Sequence, residues 1–347
     1  MSEQRDILLH HAARYPSMRP CDAVKLLYQS ACGGGHLIAD PPQALRRLRQ
    51  EMAPLSPDDG PLAEEIGGGF GRLHLRAAKR EGLSPETVGA LFVRSAREAR
   101  GGALRLTELE ALTRAGEMPF GSAELEEYLT EYRAAGCPMV SHSEAYRAAY
   151  RPAYRVIETR YIPLLPLLAA VDRQLETQSA VSLALDGRCA AGKTTLAARL
   201  AEIYPFARVV HMDDFFLPPA LRTPQRLKQP GGNVHFERFL AEAGEGVRTG
   251  AGFSHRVFNC AKGDFDGERR FEKSRLTLVE GSYCMRPDLE PLYTLSAFLD
   301  VDPDEQMRRI AARNGPEGLR VFAQRWIPLE ERYFDEMDVR GRCRFVL

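Results

Sequence analysis

The chain has 347 residues, of which 44% are hydrophobic and 27% charged, with 47 Lys plus Arg set against 47 Asp plus Glu. That length exceeds one typical domain and suffices for two, each with its own core. The balanced charge offers no field to draw a nucleic acid, no stretch approaches the roughly 20 apolar residues of a membrane span, and MSEQRDILLHHAARYP at the N-terminus lacks a signal-peptide core. A cytoplasmic protein with neither a nucleic-acid nor a membrane partner is therefore expected. Seven cysteines, odd in number and never spaced as CxxC, argue against a disulfide framework or a zinc site.

Residues 1–152 read as a mainly helical domain. Ala23, Leu26, Leu27 and Ser30 keep helical spacing, as do Val88, Leu91, Phe92 and Ala96. Turn clusters separate the helices, among them Cys32-Gly33-Gly34-Gly35-His36 and Gly67-Gly68-Gly69-Phe70-Gly71. Three histidines here, His36, His74 and His142, are candidates for convergence, although they lack ligand-type spacing. Residues 153–179 form an expected helical connector, apolar and interrupted at Pro163 and Pro166. Tyr146, Tyr150, Tyr154 and Tyr161 recur at helical intervals and read as one packing stripe between domains. No activity is assigned to this half.

From residue 180 to 347 short β-type runs alternate with helices: Val181–Leu185, Ala207–His211, Arg275–Val279, Ala297–Val301 and Cys343–Leu347. Such alternation predicts an α/β fold, a mostly parallel sheet covered by helices. Directly after the first run stands Gly187-Arg188-Cys189-Ala190-Ala191-Gly192-Lys193-Thr194-Thr195, followed by the helix-prone Leu196-Ala197-Ala198-Arg199-Leu200. This is GxxxxGK[ST] in its strand-loop-helix setting. Glycines let backbone N–H groups close around a β-phosphate, Lys193 reaches the β/γ oxygens, and the Thr194 hydroxyl is placed for Mg²⁺.

The second run leads into Met212-Asp213-Asp214-Phe215-Phe216, delivering acids to the crevice at the carboxyl edge of the sheet. Phosphoryl transfer to an alcohol needs a group that accepts the hydroxyl proton. Asp213 is the first candidate and Asp214 the second; the alternative is that both cap the loop or meet magnesium through water. Glu280, after the third run, is a further candidate for the magnesium shell, against a solvated surface role. Beyond it, Gln306 to Arg320 carries several arginines around the Asn314-Gly315-Pro316 break, as a closing lid requires. Arg309 and Arg313 are favoured, with Arg320 held in reserve.

The set GRCAAGKTT, VVHMDDFF, LVEGSYC, and RNG followed by RWIPLEERYF resembles the uridine kinase, phosphoribulokinase and pantothenate kinase group over residues 180–347. The resemblance implies an ATP- and Mg²⁺-dependent kinase acting on the hydroxyl of a small molecule of nucleoside type, with Asp213 as base or hydroxyl anchor and Glu280 near the metal. It also places Asp214, Phe215, His235, Phe258 and Asn259 near the acceptor. Here the chain departs from the group: His235 stands where an acid contacts sugar hydroxyls, and Phe258-Asn259 where a Tyr-Asp pair frames the nucleoside. Those departures keep a second class open, a regulatory nucleotide-binding protein with an altered acceptor site. A GTPase switch is disfavoured, since NKxD is absent and the one DxxG match, Asp264 to Gly267, follows no apolar strand. The acceptor's identity and the oligomeric state, a homo-oligomer included, stay open.

Overall fold

The computed structural model describes residues 2–34, 40–98 and 106–347. The chain forms two compact units, Met1–Ala169 and Ala170–Leu347. Among the described residues no helix is long and apolar enough to cross a membrane.

The first unit is mainly helical, but it also holds a small antiparallel sheet of β1 (Ala63–Gly67), β2 (Phe70–His74) and β3 (Tyr154–Glu158), in that order. Its core gathers Leu8, Leu26, Leu109, Leu125, Tyr146 and Val156 among others. The Gly67-Gly68-Gly69 turn joins β1 to β2; Gly68 has φ +63°, and a Cβ there would lie 2.0 Å from the Ser30 carbonyl oxygen. Only glycine fits that approach.

The expected helical connector changes character along its length. Tyr154-Arg155-Val156-Ile157-Glu158 pairs with β2, Thr159–Leu164 is a 3₁₀ turn, and only Leu165–Thr177 is α-helical. The β-branched Val156 and Ile157 suit a strand, and a partner edge at β2 decides the matter. The tyrosine stripe is corrected by the same finding. Tyr146 and Tyr150 sit on the helix Glu144–Tyr150, whereas Tyr154 is in β3 and Tyr161 in the 3₁₀ turn. Tyr146, Tyr150 and Tyr154 all pack into the first unit's own core.

The second unit is an α/β fold. Its sheet runs β10 (Phe345–Val346), β9 (Leu295–Leu299), β4 (Val181–Gly187), β8 (Leu276–Glu280), β5 (Ala207–His211), and every pairing is parallel. β4, β8 and β9 are buried at every position, which is why they read as continuous apolar runs rather than alternating ones. A hairpin of β6 (Phe253–Asn259) and β7 (Asp264–Phe271) stands apart from this sheet. The sequence pattern did not mark it, because β7 is mostly exposed and charged.

Candidate active site

β4, β5 and β8 bring their carboxyl ends to one edge, where Glu280 is in register with both Leu185 and His211. At that edge β4 ends in Gly187, whose φ is +131° and whose missing Cβ would lie 2.1 Å from the Leu299 carbonyl oxygen. The loop 188–192 then turns into the helix Lys193–Ile203. Ala190 takes the left-handed conformation at φ 59°, a strained choice for a residue with a Cβ. Arg309 Nη1 donates to the Ala190 carbonyl at 3.1 Å.

The loop is braced from below and from the side. Asp186, fully buried, accepts from Gly187 N at 2.7 Å, Met285 N at 2.9 Å and Tyr333 Oη at 2.8 Å. Burial pushes its carboxyl pKa up. Glu330, on the helix Ile327–Glu336, accepts from Cys189 N at 2.9 Å and Ser282 Oγ at 2.6 Å, while Gln306 Nε2 donates to Cys189 O at 3.0 Å. Arg188 turns its side chain away from the loop, to Asp300 and Glu331.

Above the loop lies a cavity of about 560 Å³. Lys193, Thr194, Thr195, Asp213, Glu280, Arg309 and Arg313 all line it, together with the loop residues Cys189, Ala190 and Gly192. Lys193 is buried and bonds the carbonyls of Gly187 at 2.6 Å and Arg188 at 2.9 Å. Thr194 Oγ1 donates to Glu280 at 3.2 Å, and His211 Nδ1 lies 2.5 Å from Glu280 Oε1. That hydrogen bond raises the His211 pKa. Asp213 leaves β5 on the 3₁₀ turn Met212–Phe215; the protein packed around it, and then the Glu280 carboxylate, push its pKa up. Five cationic side chains meet three carboxylates around the cavity, so it favours a polyanion.

Other sequence candidates stand outside the cavity wall. Asp214 is buried, accepts from His255 Nε2 at 3.0 Å and forms an ion pair with Arg269 Nε at 3.0 Å, so it ties the turn to the hairpin. Phe215 is a core residue against Phe239 and His255. His235 begins the short helix Phe236–Phe239; burial lowers its pKa and its Nδ1 is buried without a hydrogen-bond partner. Phe258 packs on Phe265, and Asn259 shapes the hairpin turn by accepting from Ala261 N and Lys262 N. Each is spent on holding the hairpin or the core. Arg320 pairs with exposed Glu317 and does not line the cavity. The helix Pro303–Val321 does break at Gly315, with φ 69° and ψ 180°.

Residues that pattern reasoning missed include His211, Asn233, Arg222, Arg325 and Trp326, all but the first lining the cavity. His211 was findable from its place beside Asp213 at a strand tip. The others come from loops and a π-helical turn whose approach depends on tertiary packing.

In the first unit, His74 and His142 both meet the Tyr154 ring, with centroids 6.3 and 5.8 Å away. Burial lowers the pKa of each to about 4. His36 lies outside the described residues, and among those described no cluster of three or more His, Cys, Asp or Glu is arranged to hold a metal.

No known protein-family profile and no curated protein matches the chain. Among solved structures it is similar to one described as a possible uridine kinase from Bacillus stearothermophilus, at 17% identity and a TM-score of 0.39, over 52% of this chain and 98% of that one. A likeness of this size carries no functional argument.

Proposed function

We propose that the second unit is a small-molecule kinase, binding ATP with Mg²⁺ and transferring the γ-phosphate to a hydroxyl of a polar metabolite, of nucleoside type. One observation carries the reading: the phosphate-loop lysine, the Thr194–Glu280 pair and the accessible carboxylate of Asp213 face a single cationic cavity. The loop amides and Lys193 hold the phosphates, Lys193 exchanging its bonds to Gly187 O and Arg188 O for phosphate oxygens. Thr194 Oγ1 and the Glu280 carboxylate are hard oxygen donors, a fit for magnesium, which takes one or two protein oxygens and completes its shell with phosphates and water. Bound there, the ion neutralises charge on the β- and γ-phosphates.

Asp213 accepts the proton of the attacking hydroxyl as its oxygen bonds to the γ-phosphorus and the bond to the ADP oxygen breaks. Its raised pKa brings it closer to the basicity that proton transfer needs. Arg309 and Arg313 supply charge to the migrating group, and the break at Gly315 gives their helix a hinge.

A regulatory nucleotide-binding role without transfer is the second reading. It is favoured by the fact that His235, Phe258 and Asn259 stay outside the cavity wall. Incubation of the full chain with ATP, Mg²⁺ and a panel of nucleosides, sugars and pantothenate-like alcohols separates the two, reading product by mass. Phosphorylated product that disappears in Lys193→Ala is the expected result. Tight ATP binding with no product from any acceptor overturns the kinase and leaves the regulator.

A further inference from the structure

The geometry points to a second ligand site, independent of the kinase reading: a cavity inside the first unit that binds the phosphate of a compact phosphomonoester, with Arg72 as its anchor. The cavity measures about 190 Å³. Arg72 stands in the middle of β2, 1% exposed, and lines it. A buried permanent charge is strongly disfavoured without a counter-charge. Yet the hydrogen bonds of this guanidinium run only from Nε and Nη2 to the neutral Gln29 Oε1, at 3.0 and 2.8 Å. Nη1 has no acceptor, and no carboxylate lies within ion-pair distance, among the described residues. Glu64, opposite Arg72 on β1, adds favourable charge from beyond ion-pair distance, while its own oxygens are engaged by Tyr15 Oη at 3.1 Å and Arg14 Nε at 3.5 Å.

The cavity has room for a direct anionic partner. Arg14, Arg76 and Arg151 line it along with Arg72, against the single carboxylate of Asp58. That excess of positive charge suits a phosphate dianion better than a monocarboxylate, and a guanidinium fork binds phosphate oxygens in pairs. The floor is held rigid. Arg72 lies 4.6 Å over the Tyr154 ring, Tyr154 Oη is 2.6 Å from His142 Nε2, and His142 Nδ1 is 2.7 Å from Asp22 Oδ1. His74 also borders this space, and its Nε2 is turned toward the Glu64 carboxylate, 3.9 Å from Oε2. The volume is small for a nucleoside triphosphate, so the occupant differs from the nucleotide proposed for the second unit.

Hydrogen exchange of the full-length protein, read peptide by peptide, tests this with inorganic phosphate and glycerol 2-phosphate as probes against sodium chloride at matched ionic strength. Both probes are expected to protect residues 70–76 and 146–155, and to do so equally in Lys193→Ala, where any protection of 187–195 is lost. Arg76→Ala combined with Arg151→Ala, at the rim, is expected to weaken the first-unit protection at least tenfold while leaving 187–195 unchanged. Arg72→Gln abolishes it if that variant folds; the rim pair decides the matter if it does not. Protection no greater than with chloride, protection that survives the rim substitutions, or binding of inorganic phosphate without the ester each overturns the proposal.

Discussion

The two adjacent acids after β5 separate cleanly in their expected behaviour. Asp213 opens into the cavity and makes no hydrogen bond to the phosphate loop among the described residues, so Asp213→Asn removes a proton acceptor and little else. A positioned base contributes about 10²–10⁴ in rate, so kcat falls by that factor, about 2.7–5.4 kcal/mol in activation free energy. ATP affinity and unfolding midpoint stay near those of the parent. Asp214→Asn acts oppositely. It withdraws charge from two 3.0 Å contacts, one with His255, whose side chain is fully buried, and one with Arg269, which is nearly half exposed. The buried contact is worth about 1.5–3 kcal/mol and the exposed one adds little. For a unit of this size that is a fall in Tm of about 3–12 °C. Denaturant titration and kcat on the acceptor found by the panel, measured for both variants, form the assay. An Asp213→Asn protein that turns over at the parental rate, or an Asp214→Asn protein that keeps full stability while losing kcat, refutes the assignment.

In the proposed reaction Asp213 works deprotonated, and its pKa is raised by its surroundings and by Glu280, so kcat should climb with pH along a limb above the ordinary carboxylate range. Glu280→Gln removes the second of these causes and shifts the limb to lower pH while lowering the rate, which a pH profile of both proteins checks. Gly187→Ala sets a Cβ against Leu299 O at φ +131° and is expected to cost about 2–5 kcal/mol in stability and to weaken ATP binding, read by denaturant midpoint and calorimetry. Arg309→Ala, which empties a cavity position bonded to Ala190 O, should lower kcat by about 10–100-fold, whereas Arg320→Ala, outside the cavity, leaves it unchanged.

Much of the second unit is legible from local pattern. Buried parallel strands are continuous apolar runs, so β8 can be read within one residue and β4 and β9 within two, while the β-branched Val209-Val210 of the half-buried β5 gives that strand its observed bounds. The 188–192 loop is legible for a related reason: the glycines that bound it answer to backbone geometry, with positive φ at Gly187 and Gly192. β3 was not legible, because Tyr154-Arg155-Val156-Ile157-Glu158 becomes a strand only when β2 offers an edge, and the paired residues, from His74 with Tyr154 to Phe70 with Glu158, are far apart in sequence. Nor was the exposed hairpin β6–β7, whose charged positions carry no burial signal.

The sequence by itself determined the chemistry on offer at each strand tip, since residue type and spacing suffice to name a lysine, a threonine and carboxylates around one glycine-bounded loop. Which carboxylate opens into the cavity and which is locked against His255 and Arg269 was decided only by tertiary structure. Asp213 and Asp214 are neighbours of identical type, and a 3₁₀ turn sends their side chains to different environments. The same holds for Arg72: a strand residue in sequence becomes a buried cation over Tyr154 only when three strands and their covering helices close around it.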